Sequence, residues 1–119
     1  MSKKIYLAIP YTHEDENIRQ YRFEVANEIA AKLMKEGDFV YSPISHSHPL
    51  VRYGLPVEWD FWADYDTTFI EWADALYVVA IDGWQTSTGV TAEIKIAQSL
   101  GKEIRFISPV SNEPAEAVL

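Results

Sequence analysis

Residues 75–107, ALYVVAIDGWQTSTGVTAEIKIAQSLGKEIRFI, decide the fold. Ala75 to Ile81 is a continuous apolar run, the mark of a strand buried on both faces, and Asp82-Gly83 breaks it. From Ser87 to Leu100 the apolar residues return at helical spacing, Gly101 caps the helix, and Glu103 to Ile107 reads as a further strand. A strand, a helix and a strand of these lengths make one unit with its strands parallel.

The same alternation extends towards the N-terminus. Lys3 to Pro10 (KKIYLAIP) reads as a short buried strand ended by proline. Thr12-His13-Glu14-Asp15 has a capping-box pattern, and Ile18, Tyr21, Val25, Ile29 and Leu33 then recur at helical spacing until Gly37. Phe39 to Ser42 gives a short second strand, and Pro43 to Pro56 reads as a polar loop of a length that is often functional. Val57 to Ala73 returns to the helical period with Trp59, Phe61, Trp62, Tyr65, Phe69 and Trp72. The order predicts a three-layer α/β fold of the flavodoxin or Rossmann type, with a parallel sheet of four or five strands and helices on both faces. Residues 1–107 form one domain in this reading, and 108–119, with two prolines and several small or acidic residues, form an extended tail.

Within the helix that follows the apolar run, Glu93 is out of place. At about 100° per residue from Val90, the residues Ile94, Ile96, Ala97 and Leu100 share a stripe, and Glu93 falls inside it. A core-facing carboxylate must find a partner, so Glu93 is either a satisfied structural acid or a group kept for chemistry. On the preceding helix Asp60, Asp64 and Glu71 fall on the polar side, whereas Asp66 lies at the edge of the apolar face. In this fold class, ligands sit at the carboxyl ends of the strands near the switch point. The loops after the first three strands converge there, and Glu93 and Asp66 can both look into that cleft.

Composition narrows the partners. The chain has 119 residues, no cysteine and a formal net charge of −8. Disulfides, thiolate metal sites and cysteine nucleophiles are excluded. A strongly acidic chain is a poor binder of nucleic acid, which draws on clustered Lys and Arg, although a small anionic ligand needs only an arginine or a helix N-terminus. No apolar run approaches the roughly 20 residues of a membrane span. The N-terminus has no long apolar leader region, so secretion is not expected and the cytoplasm is the default compartment. The four Trp and seven Tyr fill the core first and stack on planar ligands second.

Familiar catalytic signatures are missing. No G-x-G-x-x-G, Walker A or G-x-S-x-G sequence follows a predicted strand. His46-Ser47-His48 falls short of a metal-ligand set, and no metal or organic cofactor is expected. What remains is a pair of carboxylates in a cleft, the minimal kit for glycosyl transfer.

Tyr6 in the first strand, Asp66 seven residues before Ala73-Asp74, and Ser87-x-Gly89-x-x-x-Glu93 with Ala97 and Gly101-Lys102 together resemble the nucleoside 2-deoxyribosyltransferase superfamily. That superfamily includes the 2′-deoxynucleoside 5′-monophosphate N-glycosidases. The YLAIPYTH segment and the Trp84…Ser87-Thr88-Gly89 stretch also look like small bacterial and phage proteins of unassigned function. The resemblance, running from Lys4 to about Ile107, implies that Glu93 is the nucleophile at C1′, that Asp66 assists departure of the base, and that Tyr6 positions the glutamate. It further implies substrate contacts from Ser87, Thr88, Gly89, Tyr11, Thr12, Trp84, His46 and Arg52, a nucleoside or nucleotide as small-molecule partner, and a homodimer or higher oligomer.

One position separates the branches of the superfamily. Six residues before the glutamate, transferases of free nucleosides carry an aspartate, whereas nucleotide N-glycosidases carry a serine that contacts phosphate; here it is Ser87. The first loop, Pro10-Tyr11-Thr12-His13, lacks the glycines and arginine of the nucleotide hydrolases, so Arg19, Arg22 or Arg52 would have to hold a phosphate. The sequence leaves hydrolysis and transfer equally open. The rival reading is a module that binds a nucleotide or nucleotide sugar without turnover, with Glu93 on a ribose hydroxyl; a purely structural or interaction protein is a third.

Overall fold

The computed structural model describes residues 2–109. Four parallel strands, β1 (Lys4–Ala8), β2 (Phe39–Tyr41), β3 (Ala75–Val79) and β4 (Glu103–Ile107), lie in the order β2-β1-β3-β4. The registers place Tyr6 beside Tyr41 on one side and Leu76 on the other, and Leu76 beside Ile104. This is the expected flavodoxin-like α/β sheet, with four strands among the described residues. Except for Ser108 and Pro109, the expected tail lies outside them.

The hydrophobic pattern assigns the layers. β3 is apolar throughout, and β1 from Ile5 onwards, because both faces of the two central strands are covered. Ile5, Leu7, Tyr77 and Val79 point to one side and pack with Val25, Ala26, Ile29 and Leu33 of α1 (Glu16–Lys35). Tyr6, Ala8, Leu76 and Val78 point to the other, against Ile70 of α3 (Trp59–Trp72) and Val90 and Ala97 of α4 (Thr88–Ser99). β4 alternates, with Glu103 and Arg105 exposed at the edge, where Glu103 meets Lys3 at 2.9 Å. Gly37 and Gly101 adopt positive φ after α1 and α4, as the expected helix stops require.

Two local expectations are corrected. The N-cap of α1 is Asp15, whose carboxylate accepts from the Asn17 N–H at 2.8 Å; Thr12 instead donates to the Val57 carbonyl at 2.8 Å. The cap is therefore three residues later than the box pattern suggests. The loop from Pro43 to Pro56 contains a nine-residue helix, α2 (Pro43–Val51), starting with proline at its first turn and carrying Pro49 inside it. Pro43 supplies the φ of a first helical residue, where no N–H bond is lost. α2 packs against α1.

The chain leaves β1 for β2 on one side and comes back to β3 on the other. The direction of winding therefore reverses between β1 and β3, and a crevice opens beyond their carboxyl ends.

Candidate active site

The crevice is built from four elements. The segment after β1 brings Ile9, Tyr11 and Thr12; α2 roofs it with Pro43, Ile44, Ser47 and Val51; Val57 adds to it just before α3, which supplies Trp59, Trp62 and, one turn on, Asp66; α4 contributes Glu93 from below. Together they line a hollow of about 60 Å³.

At its floor Tyr6 donates its hydroxyl hydrogen to Glu93 Oε2. Tyr6 is fully buried, and Glu93 and Asp66 are 5% and 7% exposed. Glu93 reaches this place because its phase on α4 is that of Val90 and Ala97, both buried against the sheet. Asp66 Oδ1 is buried with no hydrogen-bond partner among the described residues, an arrangement that costs stability unless a ligand completes it.

Burial raises both acids, Asp66 to about 7 and Glu93 to about 8, with the Tyr6 hydrogen bond opposing the rise in each and the charge of Asp66 adding to it at Glu93. Burial also pushes the Tyr6 phenol well above its ordinary range. Near neutrality the pair therefore keeps at least one proton. The single hydrogen of Tyr6 goes to Glu93 Oε2, where it favours the charged form of that acid.

Beside this crevice, sharing Thr12 and Trp59 with it, a second hollow is lined by Glu58, Asp60, Thr86, Ser87, Thr88 and Gly89. Ser87 caps α4, its Oγ accepting from the Val90 N–H at 3.1 Å. A Cβ at Gly89 would stand 3.7 Å from the Trp59 ring, an ordinary contact.

Of the residues expected to meet a substrate, Tyr11, Thr12, Ser87, Thr88 and Gly89 line the crevice or this hollow, together with Glu93 and Asp66. Trp84, His46 and Arg52 do not. Trp84 packs on Phe106 behind α4, His46 lies on the outer side of α2 near Tyr41 and Tyr65, and the Arg52 guanidinium lies over Tyr53. Arg19 and Arg22 are held by backbone carbonyls, of His13 for the first and of Thr12 and Asp82 for the second. Ser47, Ile44, Trp59 and Trp62 were not singled out from the sequence. The only signal was the aromatic stripe of α3, and it reads equally well as core. Among the described residues no group of three or more acids and histidines is arranged for a metal, and no helix is long and apolar enough to cross a membrane.

Comparison of the fold gives the same neighbourhood. A 2-deoxyribosyltransferase from the psychrotolerant bacterium Bacillus psychrosaccharolyticus superposes with a TM-score of 0.67 at 28% identity, covering 98% of this chain and 77% of its own. A 2-deoxyribosyltransferase from Leishmania mexicana gives a TM-score of 0.58 at 18% identity, covering 89% of this chain; this chain spans 64% of that protein's length. The fold is thus nucleoside 2-deoxyribosyltransferase-like. No curated protein matches the sequence. A family match covers residues 3–108, and the chain belongs to that family, described as a domain of unknown function (DUF1937).

Proposed function

We propose that this protein cleaves the N-glycosidic bond of a 2′-deoxynucleoside, by transfer or hydrolysis, through a glycosyl ester on Glu93. The observation that carries the reading is the buried Tyr6–Glu93 hydrogen bond beneath a crevice in which Asp66 keeps an unpartnered carboxyl oxygen. Similarity to a 2-deoxyribosyltransferase at 28% identity supports it.

The chemistry needs the proton of the pair on Asp66 and the charge on Glu93. The Glu93 carboxylate attacks C1′, the C1′–N bond breaks, and its electron pair leaves with the base, which takes the proton of Asp66. Attack on C1′ by a second base or by water, with Asp66 now accepting a proton, releases Glu93. Tyr6 holds the Glu93 carboxylate by its second oxygen, leaving the first for bond formation. Exclusion of water by Trp59, Trp62 and the α2 roof strengthens each of these interactions.

The hollow beside the crevice bears on the 5′ end of the substrate. Ser87 and the N-terminus of α4 would welcome a phosphate, but Glu58 and Asp60 share the hollow and Arg19, Arg22 and Arg52 are turned elsewhere. A neutral 5′-hydroxyl fits this balance better than a phosphate dianion. The test is release of free base from 2′-deoxynucleosides and their 5′-monophosphates, with and without an acceptor base. Release from the nucleosides, lost in Glu93→Gln, is expected; affinity without release would favour a binding module that reads the sugar through Glu93.

A further inference from the structure

One chain of hydrogen bonds, part-buried at Tyr11 and His48 and exposed at Gln20 and Glu24, lies outside the Tyr6–Glu93–Asp66 group. Tyr11 OH and His48 Nδ1 are 2.6 Å apart, His48 Nε2 and Gln20 Oε1 are 2.9 Å apart, and Gln20 Nε2 donates to Glu24 Oε1 at 2.8 Å. The directions follow from the end of the chain. Glu24 only accepts, so the Gln20 amide nitrogen faces it and the Gln20 oxygen faces His48. His48 must then carry its hydrogen on Nε2, which leaves Nδ1 as an acceptor for the Tyr11 hydroxyl.

Resting on the proposed glycosidic chemistry, we infer that His48 is a positioning residue for the substrate crevice: as a neutral acceptor it fixes the Tyr11 side chain in the wall and ties the α2 roof to α1. Tyr11 lines the crevice, and α2 supplies Pro43, Ile44, Ser47 and Val51 to it. The ring of Phe23 on α1 lies tilted against the imidazole with centroids 4.4 Å apart, so the same side chain joins three elements by packing as well as by hydrogen bonds. Partial burial and the nearby Arg19 charge keep the His48 pKa below its ordinary value, against the pull of Glu16 and Glu24, so the neutral form prevails at pH 7. Because the network shapes the pocket and touches no reacting atom, it governs ground-state binding more than the chemical step.

The test compares His48→Ala with His48→Asn, whose Oδ1 stands where Nδ1 was and can still accept from Tyr11. His48→Ala is expected to raise the KM for 2′-deoxynucleosides about tenfold with kcat changed by no more than about twofold. His48→Asn should recover most of that loss, and Tyr11→Phe combined with His48→Ala should cost little more than His48→Ala alone. Equal KM values in the Ala and Asn variants, additive losses, or a fall confined to kcat would overturn the assignment. Repeating the comparison as Kd for the same nucleosides on a Glu93→Gln background removes turnover from the question. If wild type binds nucleosides but releases no base, the glycosidic reading fails while a tenfold weaker Kd in His48→Ala sustains this one. An unchanged Kd, or no nucleoside binding at all, refutes the role of His48. Nitrogen-15 spectra of the wild-type imidazole give a further check, with the Nε2–H tautomer expected and Nδ1–H contradicting it.

Discussion

Tyr6 and Glu93, 87 residues apart in sequence, share a buried hydrogen bond beneath the carboxyl ends of β1 and β3. A phenol whose pKa is raised gives its hydrogen to a carboxylate whose pKa is also raised, in a place where water cannot compete. Replacing Tyr6 by Phe removes the only group shown to lower the Glu93 pKa. The acid limb of the activity profile should therefore move to higher pH, and kcat/KM at pH 7 should fall by about tenfold or more. A pH–rate series on the two proteins checks this; superimposable profiles would contradict it.

Asp66→Asn keeps the shape of the side chain but supplies no acidic proton to the leaving base. A loss of about 10²-fold or more in kcat is expected, the usual range for a general acid. Because Asp66 must be protonated to act, wild-type activity should decline as pH rises through about 7, and that alkaline limb should be absent from the residual activity of the variant. Substrates whose base departs without protonation should be affected least.

Stability carries the same signature with a definite sign. Glu93 ionises near 8 in the folded chain against about 4.3 when unfolded. The native state thus binds more protons across that interval, and its stability is lost as pH rises through it. Glu93→Gln removes this contribution: its Tm should be close to that of wild type at pH 4 and higher by about 5 °C at pH 9. Thermal melts at the two values decide the matter, and a variant less stable at pH 9 would show that Glu93 is held ionised as a structural acid.

The acidic hollow at the start of α4 makes a prediction about substrate charge. The kcat/KM for a 2′-deoxynucleoside should exceed that for its 5′-monophosphate. Glu58→Gln with Asp60→Asn should narrow the gap through the monophosphate alone, and added salt should narrow it in wild type. A gap unmoved by either change would remove these two carboxylates from the specificity of the site.

Much of the fold could be read in advance because its signals are local. ALYVV and IYLA are apolar on both faces, as the centre of a parallel sheet requires, and Glu93 betrays itself by falling in phase with Val90 and Ala97. Asp66, only at the edge of its stripe, became conspicuous once α3 packed on α4 and buried it. The α2 helix was hidden by its composition: two prolines, two histidines and two serines in nine residues oppose every propensity scale, and its packing on α1 outweighs them. The Tyr11–His48–Gln20 chain had no signal in the sequence, because its members come from a loop and two helices that meet only in the folded molecule.

The central claim is a covalent sugar on Glu93, and trapping it tests that claim most directly. Wild type mixed with a 2′-deoxynucleoside and quenched in acid during turnover should gain the mass of one deoxyribosyl group. Peptide mapping should place that group on the segment containing Glu93, and Glu93→Gln should show none. Base release with no adduct and undiminished activity in Glu93→Gln, or no release from any nucleoside with or without an acceptor base, would contradict the account.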